Sequence, residues 1–123
     1  MPAKRYYGAD IPMRVIRRYA RQIAEKFQPE RIILFGSRAW GTPHEDSDVD
    51  LLVVMSARNE TDQAVKIRLA LDAPFPMDRL VRTPAAWKWQ LADGDMFTTE
   101  IAMRGKIFRT HSQRDLTSSI LLC

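Results

Sequence analysis

An α/β fold, a small mixed β-sheet flanked by helices, is predicted by three observations. Apolar residues recur every fourth position over residues 11–27, as an amphipathic helix requires. Short apolar runs rich in strand-forming residues stand at 31–35, 48–55 and 77–82. Segments of helical character separate and follow those runs. Strands alternating with helices imply helical layers packed on a sheet.

The elements follow in order. Asp10 is placed to cap the first helix, with Pro12 early in its first turn. Ile11, Val15, Tyr19, Ile23 and Phe27 form its apolar stripe, and Gln28-Pro29 ends it. Arg31–Phe35 reads as a strand cut off by Gly36, and a short helix from Ser37 ends at Gly41. The run at 48–55 is a second strand. Thr61 then caps a helix over 61–71, which the Ala73-Pro74-Phe75-Pro76 breaker closes. Met77–Arg82 is a third strand. Thr83 and Pro84 are the N-cap and first residue of a helix ending near Asp93-Gly94, and a last helix from Met96 closes on Gly105. Lys106 to Arg109 adds a short edge strand.

A length of 123 residues supports one domain with one core. We place that domain at 11–109, between an N-terminal extension over 1–10 and a flexible C-terminal tail over 110–123. The composition, 46% hydrophobic and 28% charged, is that of a soluble globular protein. No apolar run approaches the roughly 20 residues of a membrane helix. The single cysteine, Cys123, allows no internal disulfide, which fits a reducing, cytoplasmic setting. The net charge of +4 suits a polyanionic partner such as a triphosphate or nucleic acid. Arg14, Arg17, Arg18, Arg21 and Lys26 carry part of it on the first helix, where a solvated face is the plainer account.

The chemistry concentrates between the first two strands. Residues two apart in a strand share a face about 6.5–7 Å apart, so Asp48 and Asp50 project together. Paired carboxylates repel unless a cation lies between them, and Mg²⁺ prefers oxygen ligands. Two such ions about 3.5–4 Å apart clamp the attacking and leaving oxygens of a phosphoryl transfer. Asp78, acidic within an apolar run, joins the pair if the third strand neighbours the second. It could then take a proton from an attacking hydroxyl, or hold the metal that activates it. Gly36, without a Cβ, lets backbone approach a ligand. Ser37 opens a helical turn whose N–H groups favour anions, and Arg38 can pair with phosphate or with a nearby acid. No Gly-Lys-Ser/Thr follows, so this is not a Walker A loop.

The pattern Gly36-Ser37…Gly41…Ser47-Asp48-x-Asp50-Leu51 resembles the signature of the DNA polymerase β-like nucleotidyltransferase superfamily. The small size resembles its minimal nucleotidyltransferases. The resemblance runs over about 11–109, including Asp78 and the closing Glu100-Ile101 to Phe108 stretch. It implies the nucleotidyltransferase fold and transfer of AMP from ATP to a hydroxyl with two Mg²⁺ ions. It implies that Gly36, Ser37, Arg38 and Ser47 bind nucleotide, and that Asp48, Asp50 and Asp78 are the catalytic metal ligands. Many minimal nucleotidyltransferases pair with a HEPN-domain RNase toxin and silence it by adenylylating a tyrosine. A HEPN toxin is therefore the expected partner, and this chain the expected antitoxin.

Two rivals stand beside that reading: an antitoxin that neutralises by masking alone, and an enzyme acting on a small hydroxylated molecule such as an antibiotic, working as a homo-oligomer. Nucleic acid is a further acceptor compatible with the charge. His44 reads as an exposed loop residue. Of Trp87 and Trp89, two apart on a helix, one is expected buried and the other exposed near Phe97. Trp40 either covers the nucleotide or packs beneath the phosphate turn.

Overall fold

The computed structural model describes residues 4–41 and 48–110. A 3-10 turn, Gly8–Asp10, leads into α1 (Met13–Phe27). Then come β1 (Arg31–Phe35), α2 (Ser37–Trp40), β2 (Val49–Val54), α3 (Glu60–Ala70), β3 (Met77–Arg82), α4 (Pro84–Ala92), α5 (Met96–Arg104) and β4 (Lys106–Thr110). His44, Ser47 and the tail beyond Thr110 lie outside the described residues. Among those described, no helix is long and apolar enough to cross a membrane.

Two expected caps move. The extended backbone at Ile11 and Pro12 delays α1, so Pro12, not Asp10, holds the N-cap position, and its carbonyl accepts from Val15 N–H at 3.0 Å. A residue preceding proline is pushed out of the helical region, which places Asp10 two residues too early. Asn59, not Thr61, caps α3: its side chain accepts from Asp62 N–H at 2.9 Å. Thr83 and Asp95 cap α4 and α5 as side-chain acceptors, from Ala86 N–H and Thr98 N–H.

The sheet runs β3-β2-β1-β4 and is mixed. β1 is antiparallel to β2 and β4, while β2 and β3 are parallel, joined by the α3 crossover. Alternation along the strands divides the core. Ile32, Leu34, Val49, Leu51, Val53 and Val81 meet the apolar stripe of α1 and Ile67 of α3. Ile33, Leu52 and Val54 meet Trp87 of α4 and Ile101 of α5. Each such side chain removed from water contributes roughly 1.5–3 kcal/mol, so both helical layers are held by their apolar faces.

Tyr19 ties three elements together. Its hydroxyl donates to Leu71 O at 2.8 Å and accepts from Arg79 Nε at 2.8 Å, while its ring meets Phe75 edge-on. Burial raises its pKa, and Arg79 opposes that rise. Residues 4–10 are tied to the body too. Tyr6 N–H donates to Pro74 O at 2.7 Å, and the Gly8 carbonyl accepts from Arg38.

The β1–β4 pairing contains a bulge. Ile32 opposes Arg109 and Ile33 opposes Ile107, so Phe108 is an extra residue in β4. Adjacent strand residues normally point to opposite faces, but the bulge puts Phe108 and Arg109 on the same side, towards α1.

Candidate active site

The buried parity of Val49, Leu51 and Val53 towards α1 and α3 fixes the opposite parity for Asp50, towards the α4–α5 side. Asp48 precedes β2 at the same parity and is exposed, whereas Asp50 is half-buried. The parallel register sets Asp50 directly beside Asp78, also exposed, and the antiparallel register sets Phe35 on its other flank. Two residues 28 positions apart in the chain thus become lateral neighbours.

Gly36 follows Phe35 with φ +79°, and a Cβ placed there would run into the Asp50 carboxylate. The turn therefore lies on the carboxylate as closely as backbone can. Ser37 opens α2, whose single turn is closed by Ala39 N–H and Trp40 N–H donating to Gly36 O at 3.0 and 3.1 Å.

Electrostatics single out one acid. The Asp50 carboxyl is raised to about 6, first by burial and then by the charges of Asp78 and Asp48, with Arg38 acting against the rise. Arg38 is buried, and a guanidinium nitrogen donates to the Gly8 carbonyl. Burial lowers its pKa while Asp48 and Asp50 hold it up. Arg38 is thus anchored to Gly8 within electrostatic reach of Asp48 and Asp50, the nearby-acid alternative that the sequence left open beside phosphate.

The three acids share one end of the sheet, but they do not converge into a finished cage. Among the described residues, no three acidic, histidine or cysteine side chains gather closely enough to hold an ion. The backbone register brings Asp50 and Asp78 side by side, while Asp48 and Asp78 stay exposed. The donor set nevertheless fits a hard divalent cation: it is all oxygen, and a cation would relieve the repulsion from Asp78 and Asp48 that adds to burial in raising Asp50.

The rim is apolar. Phe97, half exposed at the start of α5, meets Phe35 edge-on with ring centres 5.7 Å apart. Trp89 and Met96 are exposed on α4 and α5, while Trp87 is buried, which settles the tryptophan pair. Trp40 packs beneath Arg104, whose guanidinium lies 4.5 Å from the indole centre and pairs with Glu100. Phe35 and Arg104 were invisible as site neighbours in the sequence.

The family model described as a nucleotidyltransferase domain matches residues 16–102. Among solved structures, the chain is similar to a "putative nucleotidyltransferase from Sulfolobus solfataricus", at 23% identity and TM-score 0.44, over 57% of this chain and 67% of that one. Comparison with curated proteins gives no match.

Proposed function

With residues 16–102 matching that model, the chain belongs to the nucleotidyltransferase domain family, and from this premise we propose that it transfers AMP from ATP to a hydroxyl of a protein partner. The bond formed joins the acceptor oxygen to the α-phosphorus, the bond broken is the α–β phosphoanhydride, and pyrophosphate leaves. The observation that carries this reading is the lateral pairing of Asp50 with Asp78 against the Gly36 turn.

Each residue has a task. Gly36 and Ser37 offer backbone close to the acids for the triphosphate, with Ser47 as a further contact by its place in the motif. Arg38, fixed by Gly8, sets a positive charge within reach of Asp48 and Asp50. Asp48, Asp50 and Asp78 would hold two Mg²⁺ ions, which supply charge neutralisation at the triphosphate and lower the acceptor's pKa. Asp78, exposed beside Asp50, takes the acceptor proton.

A protein acceptor is favoured by the rim. Phe97 exposes apolar area against Phe35, the neighbour of Asp50, as a docking partner uses. The partner we propose is a HEPN-type toxin, with this chain as its cytoplasmic antitoxin. ATP labelled at the α-phosphate, incubated with Mg²⁺, host lysate and either the wild type or Asp50→Asn, tests the reading. A labelled protein band present only with the wild type supports it. Label confined to small molecules or nucleic acid overturns the protein acceptor, and equal labelling by both forms overturns the site.

A further inference from the structure

The outer face of α1 carries Arg14, Arg17, Arg18 and Arg21, all exposed. Their helical positions fall within an arc of about 100° and span about 10 Å along the axis. A merely solvated helix face usually interleaves opposite charges at i,i+4 spacing. Here Glu25, one turn beyond Arg21, is the acid of that face, and none of the four arginines lies within ion-pair distance of a carboxylate among the described residues.

An aromatic ring and further cations stand on each flank of this ridge. On one side the β4 bulge turns Phe108 and Arg109 together towards α1. With Arg17 and Arg21 they line a depression of about 220 Å³, and the Arg17 guanidinium lies 5.1 Å from the Phe108 ring centre. Arg109 is held there by donating from Nε to Pro29 O at 3.0 Å. On the other side Lys4, Tyr6 and Arg18 border a depression of about 280 Å³, with Lys4 Nζ 5.1 Å from the Tyr6 ring centre. Arg5 at its edge is paired with Asp72 at 3.7 Å.

We propose that this face binds single-stranded nucleic acid, the α1 arginines tracking the phosphate backbone and the Phe108 and Tyr6 flanks receiving bases. A cationic track with aromatic platforms is the combination that holds unpaired strands, because every base has a face to stack. An acidic protein surface would satisfy the arginines, whereas the aromatic depressions flanking them add the stacking faces that unpaired bases use. α1 covers the sheet face opposite to Asp50, so the surface stands independently of the transfer site.

Fluorescence anisotropy with labelled oligouridylate and oligothymidylate of about 15 nucleotides tests it, against the full chain. Four phosphate contacts predict a log K versus log salt slope near −3. Arg14→Ala, Arg17→Ala, Arg18→Ala and Arg21→Ala combined should weaken binding at least about 30-fold at low salt and flatten the slope. Phe108→Leu should weaken it about 5-fold or more while keeping an apolar side chain in the core. Melting curves confirm that each variant is folded, and Asp50→Asn should bind as the wild type does. RNA against DNA affinity identifies the sugar preferred. Unchanged binding by the folded quadruple variant, or loss of binding by Asp50→Asn, overturns the proposal. So does polyglutamate displacing the oligonucleotide as well as unlabelled oligonucleotide does, which would make the face a general acidic-protein dock.

Discussion

Gly36 and Asp50 stand so close that a single methyl group on the first would overlap the carboxylate of the second. Gly41 has a similar φ, +86°, but nothing described within 4 Å of a Cβ built there. Gly41→Ala should therefore cost only the left-handed backbone penalty, about 1–2 kcal/mol. Gly36→Ala adds a collision to that penalty, so we expect a larger loss and no AMP transfer. Urea melts and a labelled-ATP assay on the two variants separate the terms.

Asp50 makes stability depend on pH with a definite sign. Its folded pKa, about 6, lies above the ordinary carboxylate value, so the folded state holds the proton more tightly. That contribution is full below about pH 4 and is lost as pH rises through 6. In metal-free protein at pH 7–8, Asp50→Asn should be more stable than wild type, on the order of 1–2 kcal/mol. Added Mg²⁺ should raise the wild-type melting temperature and leave that of the variant nearly unchanged. Melting curves in EDTA and in Mg²⁺, from pH 4 to 8, check both statements.

The two tryptophans of α4 should part company. Trp87 is 7% exposed in the α4–α5 core, and Trp89 is 66% exposed. Trp87→Ala should cost about 3–5 kcal/mol, whereas Trp89→Ala should stay within about 0.5 kcal/mol. If the rim docks a protein acceptor, Phe97→Ala should also reduce labelling of that protein with little change in ATP binding.

Thr83 sets the start of α4 through its hydroxyl, which accepts from Ala86 N–H at 3.1 Å. Thr83→Ala should cost about 1 kcal/mol. Glu60 Oε2 accepts from Thr83 N–H at 2.8 Å, so Glu60→Ala should destabilise the same junction from the α3 side. Chemical denaturation of the single and double variants measures how far the two losses are shared.

The sequence exposed what depends on neighbours along the chain. Arg31–Phe35 and Met77–Arg82 were readable as strands because short apolar runs end in glycine or proline breakers. Asp48 and Asp50 were readable as a pair because strand parity is local. The cap at Asn59 escaped because Asn59 and Thr61 both compete for that position, and the start of α1 moved to Pro12 because the extended backbone at Ile11 and Pro12 delays the helix. The burial of Arg38 against Gly8 escaped for another reason. It is a contact across 30 positions that no local pattern encodes. The Phe35–Asp50–Asp78 row likewise needed the sheet order, which composition and periodicity leave open.

That row also constrains how the chain can change in length. Side chains alternate at every residue, so one amino acid inserted within β3 ahead of Asp78 would shift all later pairings and turn the acid to the other face of the sheet. There it would meet the apolar layer under α1 and α3. The α3–β3 connection before Met77 leaves little room for extra residues, because Leu71 O, Pro74 O and Pro76 O accept from Tyr19, Tyr6 N–H and Val49 N–H, and Phe75 is buried against Tyr19. Relatives that keep Asp78 beside Asp50 should therefore hold their length from Leu71 to Asp78 and vary it elsewhere.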